Sequence, residues 1–277
     1  MKKFIGKITI FFILALITCS ILPLYLYSTN LYGRFVTGKD LYYSINKSKK
    51  RNPQKKLILG DSVADQLFPN TEKDSTYVSL ACNQAIEMCG HFLLLNNYLM
   101  ANNQVDTVYF IYHPINFGHN LNQGYTFHYF IKPFCTDEYK PYLTKNVQNQ
   151  IAKIPYHNMA RMIYISTSNW APNYVCTDTV PNFMSTTSLE YLNQMKALEN
   201  KYHFQLILVP EPLNIAMKGF VDHIDKSVIT QNGLDKEFEQ YFKNIIYLDD
   251  NYFYDGLHLK QEYIKQFANL YIKKFGI

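Results

Sequence analysis

The sequence predicts an α/β fold with a mostly parallel sheet, because short apolar runs alternate with amphipathic helical patterns along most of the chain. Of the 277 residues, 48% are hydrophobic and 18% are charged, so there is enough apolar material for a core and intrinsic disorder is excluded. The strand-like runs are continuously apolar, as in parallel strands that helices cover on both faces. The sequence contains no internal repeat, which excludes solenoids and propellers.

Each strand is predicted from a short apolar run between turn residues. Residues 56–60 (KLILG) end at a glycine, and residues 106–112 (DTVYFIY) are rich in β-branched and aromatic side chains. Residues 204–209 (FQLILV) are followed by Pro210, which cannot donate to a ladder. Two shorter runs, 77–80 and 245–248, complete the set of strands. Ligands of open parallel sheets bind at the carboxyl ends of strands, so the residues after these runs are the first candidates for chemistry.

Helices are predicted where large apolar residues recur every three or four positions. This pattern covers 85–102, 186–203, 234–242 and 260–275. The segment from His113 to Ser185 breaks the alternation, and we expect it to form an insertion or cap over the carboxyl edge of the sheet. Residues 31–54 are interpreted as a basic linker, which leaves 55–277 as the globular domain.

The first 30 residues predict a membrane anchor. The run from Ile8 to Tyr27 is 20 residues without a charge, about the length that a helix needs to cross the hydrocarbon layer. A cleaved signal peptide is the alternative, although its apolar region is usually shorter and no clear cleavage site follows. Lys2, Lys3 and Lys7 precede the run. Such cations favour an N-terminus inside, with the rest of the chain outside the cytoplasm, in the periplasm or at the cell surface.

The positive charge of the chain does not predict nucleic-acid binding. The formal net charge is +5, and three of the lysines belong to the N-terminal segment. One dense basic run lies within residues 47–56. It is interpreted as a solvated linker, with a patch on anionic lipid headgroups as the alternative.

No cofactor and no metal is expected from the sequence. No cysteine–histidine spacing typical of zinc, phosphate-binding loop or dinucleotide fingerprint is present. Four cysteines lie beyond the apolar run, in a compartment that permits disulfides. Cys135 with Cys176 is the pair considered, and free buried thiols are the alternative.

A serine follows the first predicted strand in Gly60-Asp61-Ser62. At a strand-to-helix turn, its hydroxyl would lie at the carboxyl edge of the sheet, beside a helix N-terminus that favours negative charge. By itself the motif is also explained by a turn in which Asp61 or Ser62 caps the next helix.

A second motif, Asp255-Gly256-Leu257-His258, precedes the last predicted helix. At this spacing Asp255 can orient the His258 imidazole, and His258 can take a proton from Ser62 during nucleophilic attack. A lone histidine here would be interpreted as a capping or structural residue. The two motifs together favour catalysis more strongly than either does alone.

Together, ILGDS at 58–62 and DGLHL at 255–259 resemble the SGNH (GDSL-like) hydrolase superfamily, in an element order that covers roughly residues 56–274. The resemblance implies a flavodoxin-like α/β/α sandwich. It also implies Ser62 as the nucleophile, with Asp255 and His258 completing a triad.

The oxyanion hole is where the sequence departs from the family. The second family block supplies a glycine N–H, but residues 79–84 contain no glycine, and Asn83 is the candidate there. The third block supplies an asparagine after the third strand, for which Asn116 is the nearer candidate and Asn120 the next.

Substrate contacts are expected from residues at the same edge of the sheet. Asp61 and His113 are the candidates, and a structural histidine is the alternative for His113. The aromatic residues of 125–134 could stack on sugar rings, although packing within the insertion is the favoured explanation.

The function favoured by these motifs is an extracytoplasmic serine esterase or O-acyltransferase. It would act on acyl esters of cell-surface glycans, or on a small acyl ester, through an acyl-Ser62 intermediate. A membrane-bound acyltransferase would be the partner that supplies the acyl group. A non-catalytic glycan-binding or assembly protein on the same fold and a lysophospholipase-type lipid esterase are the alternatives.

Overall fold

The computed structural model describes residues 2–28, 38–121, 125–155, 157–159 and 182–277. Its strands in these ranges are β1 (Lys56–Gly60), β2 (Tyr77–Ser79), β3 (Thr107–Tyr112), β4 (Gln205–Pro210), β5 (Pro212–Asn214) and β6 (Ile246–Leu248). Its α-helices are α1 (Lys2–Ser28), α2 (Lys39–Ser48), α3 (Ser62–Leu67), α4 (Glu87–Ala101), α5 (Lys132–Phe134), α6 (Lys145–Lys153), α7 (Thr186–Tyr202), α8 (Lys218–His223), α9 (Ser227–Gln231), α10 (Asp235–Lys243) and α11 (Gln261–Phe275).

A parallel sheet of four strands, in the order β2-β1-β3-β4, forms the centre of the fold. Ile58 of β1 aligns with Ser79 on one side and with Tyr109 on the other. After Glu211 the chain continues from β4 into β5, which pairs in parallel with β6. The predicted α/β fold with a mostly parallel sheet is therefore confirmed.

Helices cover both faces of this sheet, as the alternation of strand side chains requires. Leu57, Leu59 and Phe110 point into a core that includes residues of α4, α7 and α10. Ile58 and Ile111 point into a second core on the opposite face, with residues of α3 and α11. The result is a three-layer sandwich whose strands end at one common edge.

The predicted strands and long helices are present, with ends that differ by one or two residues. Pro210 belongs to β4 because the last position of a strand can do without an N–H donor, and its carbonyl accepts a bond from the Tyr271 hydroxyl at 2.7 Å. The short strand β5 was not predicted, since a three-residue run that begins with proline carries little strand signal.

Part of the predicted linker is instead a helix of the domain. Helix α2 buries Leu41 and Ile45 in the core that contains α4. These residues lie four positions apart, on one face of a helix. Gly38 begins the helix with a φ of 91°, a left-handed conformation suited to glycine. The packed part of the chain therefore starts near residue 38 rather than 55.

The aromatic segment of the predicted insertion packs into the core. Phe127 and Phe130 lie in a π-helical turn, Phe134 lies in α5, and all three are buried in the core that includes α4. Tyr125 differs, with 52% of its surface exposed. Core packing therefore explains most of these rings. Residues 160–181 lie outside the described ranges, so a cap over the carboxyl edge stays a prediction.

The N-terminal helix α1 contains the stretch Lys3–Ile21, which is long and apolar enough to cross a membrane and is not buried against the rest of the protein. By length and composition it fits a membrane anchor or a signal sequence. Cys82, Cys89 and Cys135 are free thiols. Cys176, which the sequence suggested as the partner of Cys135, lies outside the described residues.

Gly60 is the residue that lets α3 start directly against the sheet. A Cβ atom added there would lie 2.3 Å from the Ile111 carbonyl oxygen and 2.4 Å from the Ala64 Cβ. Its φ of 156° is also a conformation that other residues rarely adopt. Only a glycine allows this close approach of β3 and α3 around the turn.

We predict that Gly60→Ala lowers the free energy of unfolding by about 1–3 kcal/mol, because the methyl group overpacks a site bounded by backbone. Thermal unfolding of the full chain in detergent measures the effect. Gly219→Ala is the matched control, since nothing lies within 4 Å of its added Cβ. A helical glycine replaced by alanine is neutral or stabilising by about 1 kcal/mol. Equal melting temperatures for the two variants would contradict this explanation.

Candidate active site

Ser62 is the first residue of α3 and follows β1 directly through Asp61. The Asp61 carboxylate caps the helix, since its Oδ1 accepts a hydrogen bond from the Val63 N–H at 3.0 Å. The cap fixes the direction of the first turn. Both explanations of the motif therefore hold together, because Asp61 caps the helix and Ser62 is presented at the edge of the sheet.

Ser62, His258 and Asp255 form a continuous chain of side-chain contacts. The Ser62 Oγ lies 2.9 Å from the His258 Nε2. On the other side of the ring, the His258 Nδ1 lies 2.7 Å from the Asp255 Oδ2. A carboxylate only accepts hydrogen bonds, so Nδ1 donates to Asp255, and in the neutral form of the ring Nε2 is left to accept from the serine hydroxyl. The structure thus brings the three predicted triad residues together.

The loop that carries Asp255 and His258 is held by its own main chain. The Asp255 Oδ1 accepts hydrogen bonds from the His258 N–H at 2.7 Å and the Leu257 N–H at 3.0 Å. Gly256, with a φ of 81°, provides the turn between them. Partial burial acts to raise the pKa of Asp255, but these bonds and the one from the His258 ring hold that pKa below its ordinary value. Asp255 is therefore ionised at neutral pH, as an orienting carboxylate must be.

Gln66 joins this loop to the helix of the nucleophile. Its Oε1 accepts a hydrogen bond from the Leu259 N–H at 3.1 Å, and its Nε2 lies 3.4 Å from the Leu259 carbonyl oxygen. Gln66 lies one turn after Ser62 on α3. The Gln66 side chain therefore bonds α3, which carries Ser62, to the loop that carries His258, and this holds the two catalytic side chains close together.

Asp61 and Asn116, the candidates for a substrate contact and an oxyanion donor, are both buried and bind each other. Asp61 is 2% exposed and Asn116 is 1% exposed. The Asn116 Nδ2 donates to the Asp61 Oδ2 at 2.6 Å, and the His113 N–H approaches the same oxygen at 3.4 Å. A buried carboxylate needs such donors. The amide of Asn116 therefore serves Asp61, and Asp61 anchors the turn from inside.

His113 and Asn83 also have structural partners. The His113 Nδ1 accepts the Ile115 N–H at 3.2 Å, and burial lowers the pKa of His113 to about 4 despite the nearby Asp61. His113 is thus a neutral, buried helix cap, as the structural alternative held. The Asn83 Oδ1 accepts the Ala85 N–H at 2.9 Å, and the Asn83 N–H donates to Asp40 at 3.2 Å. These bonds hold Asn83 in place as the cap of a 3₁₀ turn. For Asn120, the Oδ1 accepts from the Thr187 hydroxyl at 2.9 Å.

Glu211 is a buried acid near the site that sequence reasoning missed. It is fully buried, and it interacts with Asp61 from the junction of β4 and β5. Burial, together with the neighbouring Asp61, raises the pKa of Glu211 well above its ordinary value. Burial beside the Asp61 side chain therefore favours the protonated form of Glu211. A signal was present, since Pro-Glu-Pro directly follows a predicted strand at the edge where ligands bind.

Three or more His, Cys, Asp or Glu side chains arranged to hold a metal ion do not occur among the described residues. The arrangement at Ser62 is a nucleophile, a base and an orienting acid in contact. Such a chain can activate a hydroxyl for attack on an acyl carbon.

Comparisons with known proteins add little beyond this geometry. No family model and no curated protein matches the sequence. The chain is similar to a solved structure from Streptococcus pneumonia that is provisionally described as a platelet activating factor, with 13% identity and a TM-score of 0.38. The match covers 90% of this chain and 98% of that chain. A likeness of this size assigns neither family nor activity.

We predict that Asn116→Ala lowers the free energy of unfolding by about 1–3 kcal/mol, because the buried Asp61 carboxylate loses a hydrogen-bond donor. Chemical unfolding of the full chain in detergent provides the measurement. Asn103→Ala, at an exposed position, is the control and should change little. A stable Asn116→Ala protein with only a slower reaction would instead support a role as an oxyanion donor.

Proposed function

We propose that this protein is a serine esterase or O-acyltransferase that is anchored by α1 and acts outside the cytoplasm on acyl esters of cell-surface glycans. The observation that carries the proposal is the unbroken contact from the Ser62 Oγ through the His258 ring to Asp255. The motifs at 58–62 and 255–259 and their order along a parallel sheet support an SGNH-type hydrolase. The resemblance to anchored members of that superfamily supports a glycan ester as the substrate.

The first half of the reaction follows from the positions of the three side chains. The Ser62 Oγ attacks the acyl carbon while His258 Nε2 takes the hydroxyl proton, and the ionised Asp255 stabilises the resulting imidazolium. The tetrahedral intermediate then collapses, and the C–O bond to the leaving alcohol breaks. His258 returns its proton to that alcohol. The product is acyl-Ser62 and a free hydroxyl.

The second half repeats these steps with a new acceptor. Water or a sugar hydroxyl gives its proton to His258 and attacks acyl-Ser62, and the proton returns to the Ser62 Oγ as the acyl group leaves. The Asp255 and His258 side chains are 40% and 27% exposed. Water can therefore reach the site, which favours hydrolysis unless an acceptor sugar covers it.

The main-chain N–H of Ser62 is the oxyanion donor that the geometry supports best. Ser62 is the first residue of α3, and the first N–H groups of a helix have no acceptor within the helix. The partial positive charge of this end also favours an oxyanion. The Asn116 amide donates to Asp61.

Labelling with a fluorophosphonate probe tests the nucleophile directly. The full chain in detergent should form a one-to-one adduct on Ser62, located by peptide mass spectrometry, and should cleave p-nitrophenyl acetate. Ser62→Ala should abolish both, and His258→Ala should lower kcat/KM by about 10²–10⁴-fold, the usual worth of a general base.

Exposed residues provide matched controls for these variants. Ser75→Ala and His223→Ala remove the same groups from exposed positions and should behave like the unaltered chain. A folded protein that neither forms an adduct nor turns over the ester would contradict the proposal. It would favour the non-catalytic binding protein on this fold.

We further predict that Asp255→Asn lowers kcat by about 10²–10⁴-fold with little change in melting temperature. An amide in place of the carboxylate favours the wrong tautomer of His258, whereas the partly exposed side chain contributes little to stability. Steady-state kinetics and thermal unfolding measure the two effects. Asp137→Asn, an exposed acid, is the control. A kcat within threefold of the unaltered chain would rule out an orienting role for Asp255.

A further inference from the structure

We propose that the carboxyl edge of the sheet, which presents Ser62, lies against the bilayer into which α1 inserts, so that the enzyme takes its ester from the membrane surface. The inference rests on the proposed function in two respects, since it requires a retained anchor and a reactive Ser62. It goes beyond that function by assigning a lipid-facing surface and a membrane-borne ester.

Large apolar side chains are exposed on segments that follow β3 and β5 or adjoin the triad. Ile115, which follows β3, is 40% exposed, and Ile215, which follows β5, is 46% exposed. Phe220 on α8 is 37% exposed, and Tyr254, next to Asp255, is 76% exposed. We call these four side chains the apolar rim. Large apolar side chains exposed close to one another mark an interaction surface more often than scattered ones do.

Contacts between neighbouring residues connect the rim to the site. The Ile115 N–H donates to His113, whose own N–H approaches Asp61. A Cβ added at Gly256, between Asp255 and His258, would lie 4.0 Å from the side chain of Asn214, the residue before Ile215. The rim therefore borders the triad loop on one side and the nucleophile turn on the other.

The chain enters the domain at this same edge. The Asp40 carboxylate, at the start of α2, accepts the N–H of Asn83, which lies shortly after β2. A Cβ atom added at Gly38 would lie 3.6 Å from the ring of Tyr129. The connection from α1 therefore reaches the domain beside the carboxyl ends of the strands rather than at the opposite edge.

The length of that connection limits how far the edge can turn away from the membrane. Nine residues, 29–37, lie between Ser28 and Gly38, and even a fully extended chain across this interval spans only about 35 Å. A compact domain of this size is on the order of 45 Å across, from its expected radius of gyration. A tether shorter than the domain is wide prevents complete inversion, so the edge that carries Ser62 cannot face directly away from the membrane.

The shape and charge of the surface also fit a bilayer. The Asp255 and His258 side chains are 40% and 27% exposed. The triad is thus reached from an open surface, as suits a substrate presented by a membrane. Asp222, close to Phe220, pairs with Lys218 at 2.5 Å, which reduces the charge facing lipid. Tyrosines such as Tyr254 are favoured at headgroup level.

The direct test places a fluorophore at two positions of the full chain in lipid vesicles. Ile215→Cys probes the rim, and Ile272→Cys is the matched control, since Ile272 is 39% exposed on α11. Helix α11 ends beside Gly276, and the Gly276 carbonyl oxygen accepts a hydrogen bond from Lys56 at the start of β1. The end of this helix therefore lies at the amino edge of the sheet, opposite the edge that carries Ser62. Cys19, Cys135 and Cys176 are replaced by serine in both, so that only the new thiol is labelled.

Quenching by lipid distinguishes the outcomes without using activity. In phosphatidylcholine vesicles with brominated acyl chains, the label at position 215 should be quenched at least twofold more than the label at position 272. Equal quenching at both positions would overturn the inference. Loss of the N-terminal helix from the membrane-extracted chain, seen by intact-mass measurement, would overturn it as well.

Kinetics separate failure of this inference from failure of the proposed function. Ile215→Asp should lower turnover of a short-chain ester held in a vesicle about tenfold or more, with p-nitrophenyl acetate turnover unchanged. Ile272→Asp should change neither. Equal turnover of the vesicle ester by both variants would overturn the membrane-facing rim alone. A wild-type chain inactive on both esters would contradict the proposed function, and the quenching result would still decide the position of the edge.

Discussion

The buried carboxylate of Asp61 is the interaction on which the site depends. It lies at the junction of β1 and α3 and accepts hydrogen bonds from Val63, from Asn116 and, at longer range, from the His113 N–H. One side chain therefore caps the helix of the nucleophile and holds the segment after β3 against it. Burying a polar group is costly unless hydrogen-bond partners meet it. The surrounding chain supplies these donors, and the raised pKa of the buried Glu211 favours its protonated form beside Asp61.

From this anchor the geometry of the triad follows by short steps. Gly60 brings the turn against β3, the cap sets the first turn of α3, and Gln66 binds the main chain of Leu259. Ser62 and His258, 196 positions apart in sequence, then meet at 2.9 Å. Parallel strands end at one edge, so residues from distant parts of the chain converge there without long loops.

The sequence predicted the parts whose signals are local. Ser62 follows an apolar run and a glycine, and Asp255 and His258 lie in one short turn, so their positions could be inferred from spacing. Asn116 follows β3 as predicted, but its bond to Asp61 could not be predicted, because the sequence does not show that Asp61 is buried and needs a donor. Helix α2 was missed because its lysines hide the buried stripe of Leu41 and Ile45. Glu211 was missed because a lone acid between prolines resembles a loop residue until its burial is known.

The proposed reaction requires that Asp255 fixes the tautomer of His258, so that Nε2 can take the Ser62 proton. Nitrogen-detected NMR of the histidine rings in the full chain, with His258 assigned by its loss in His258→Ala, tests this most directly. For the neutral form of the ring, the contacts predict a proton on Nδ1, a hydrogen-bonded and unprotonated Nε2, and loss of this pattern in Asp255→Asn. A His258 ring with its proton on Nε2 in the unaltered chain would contradict the claim, because that nitrogen could not act as the base.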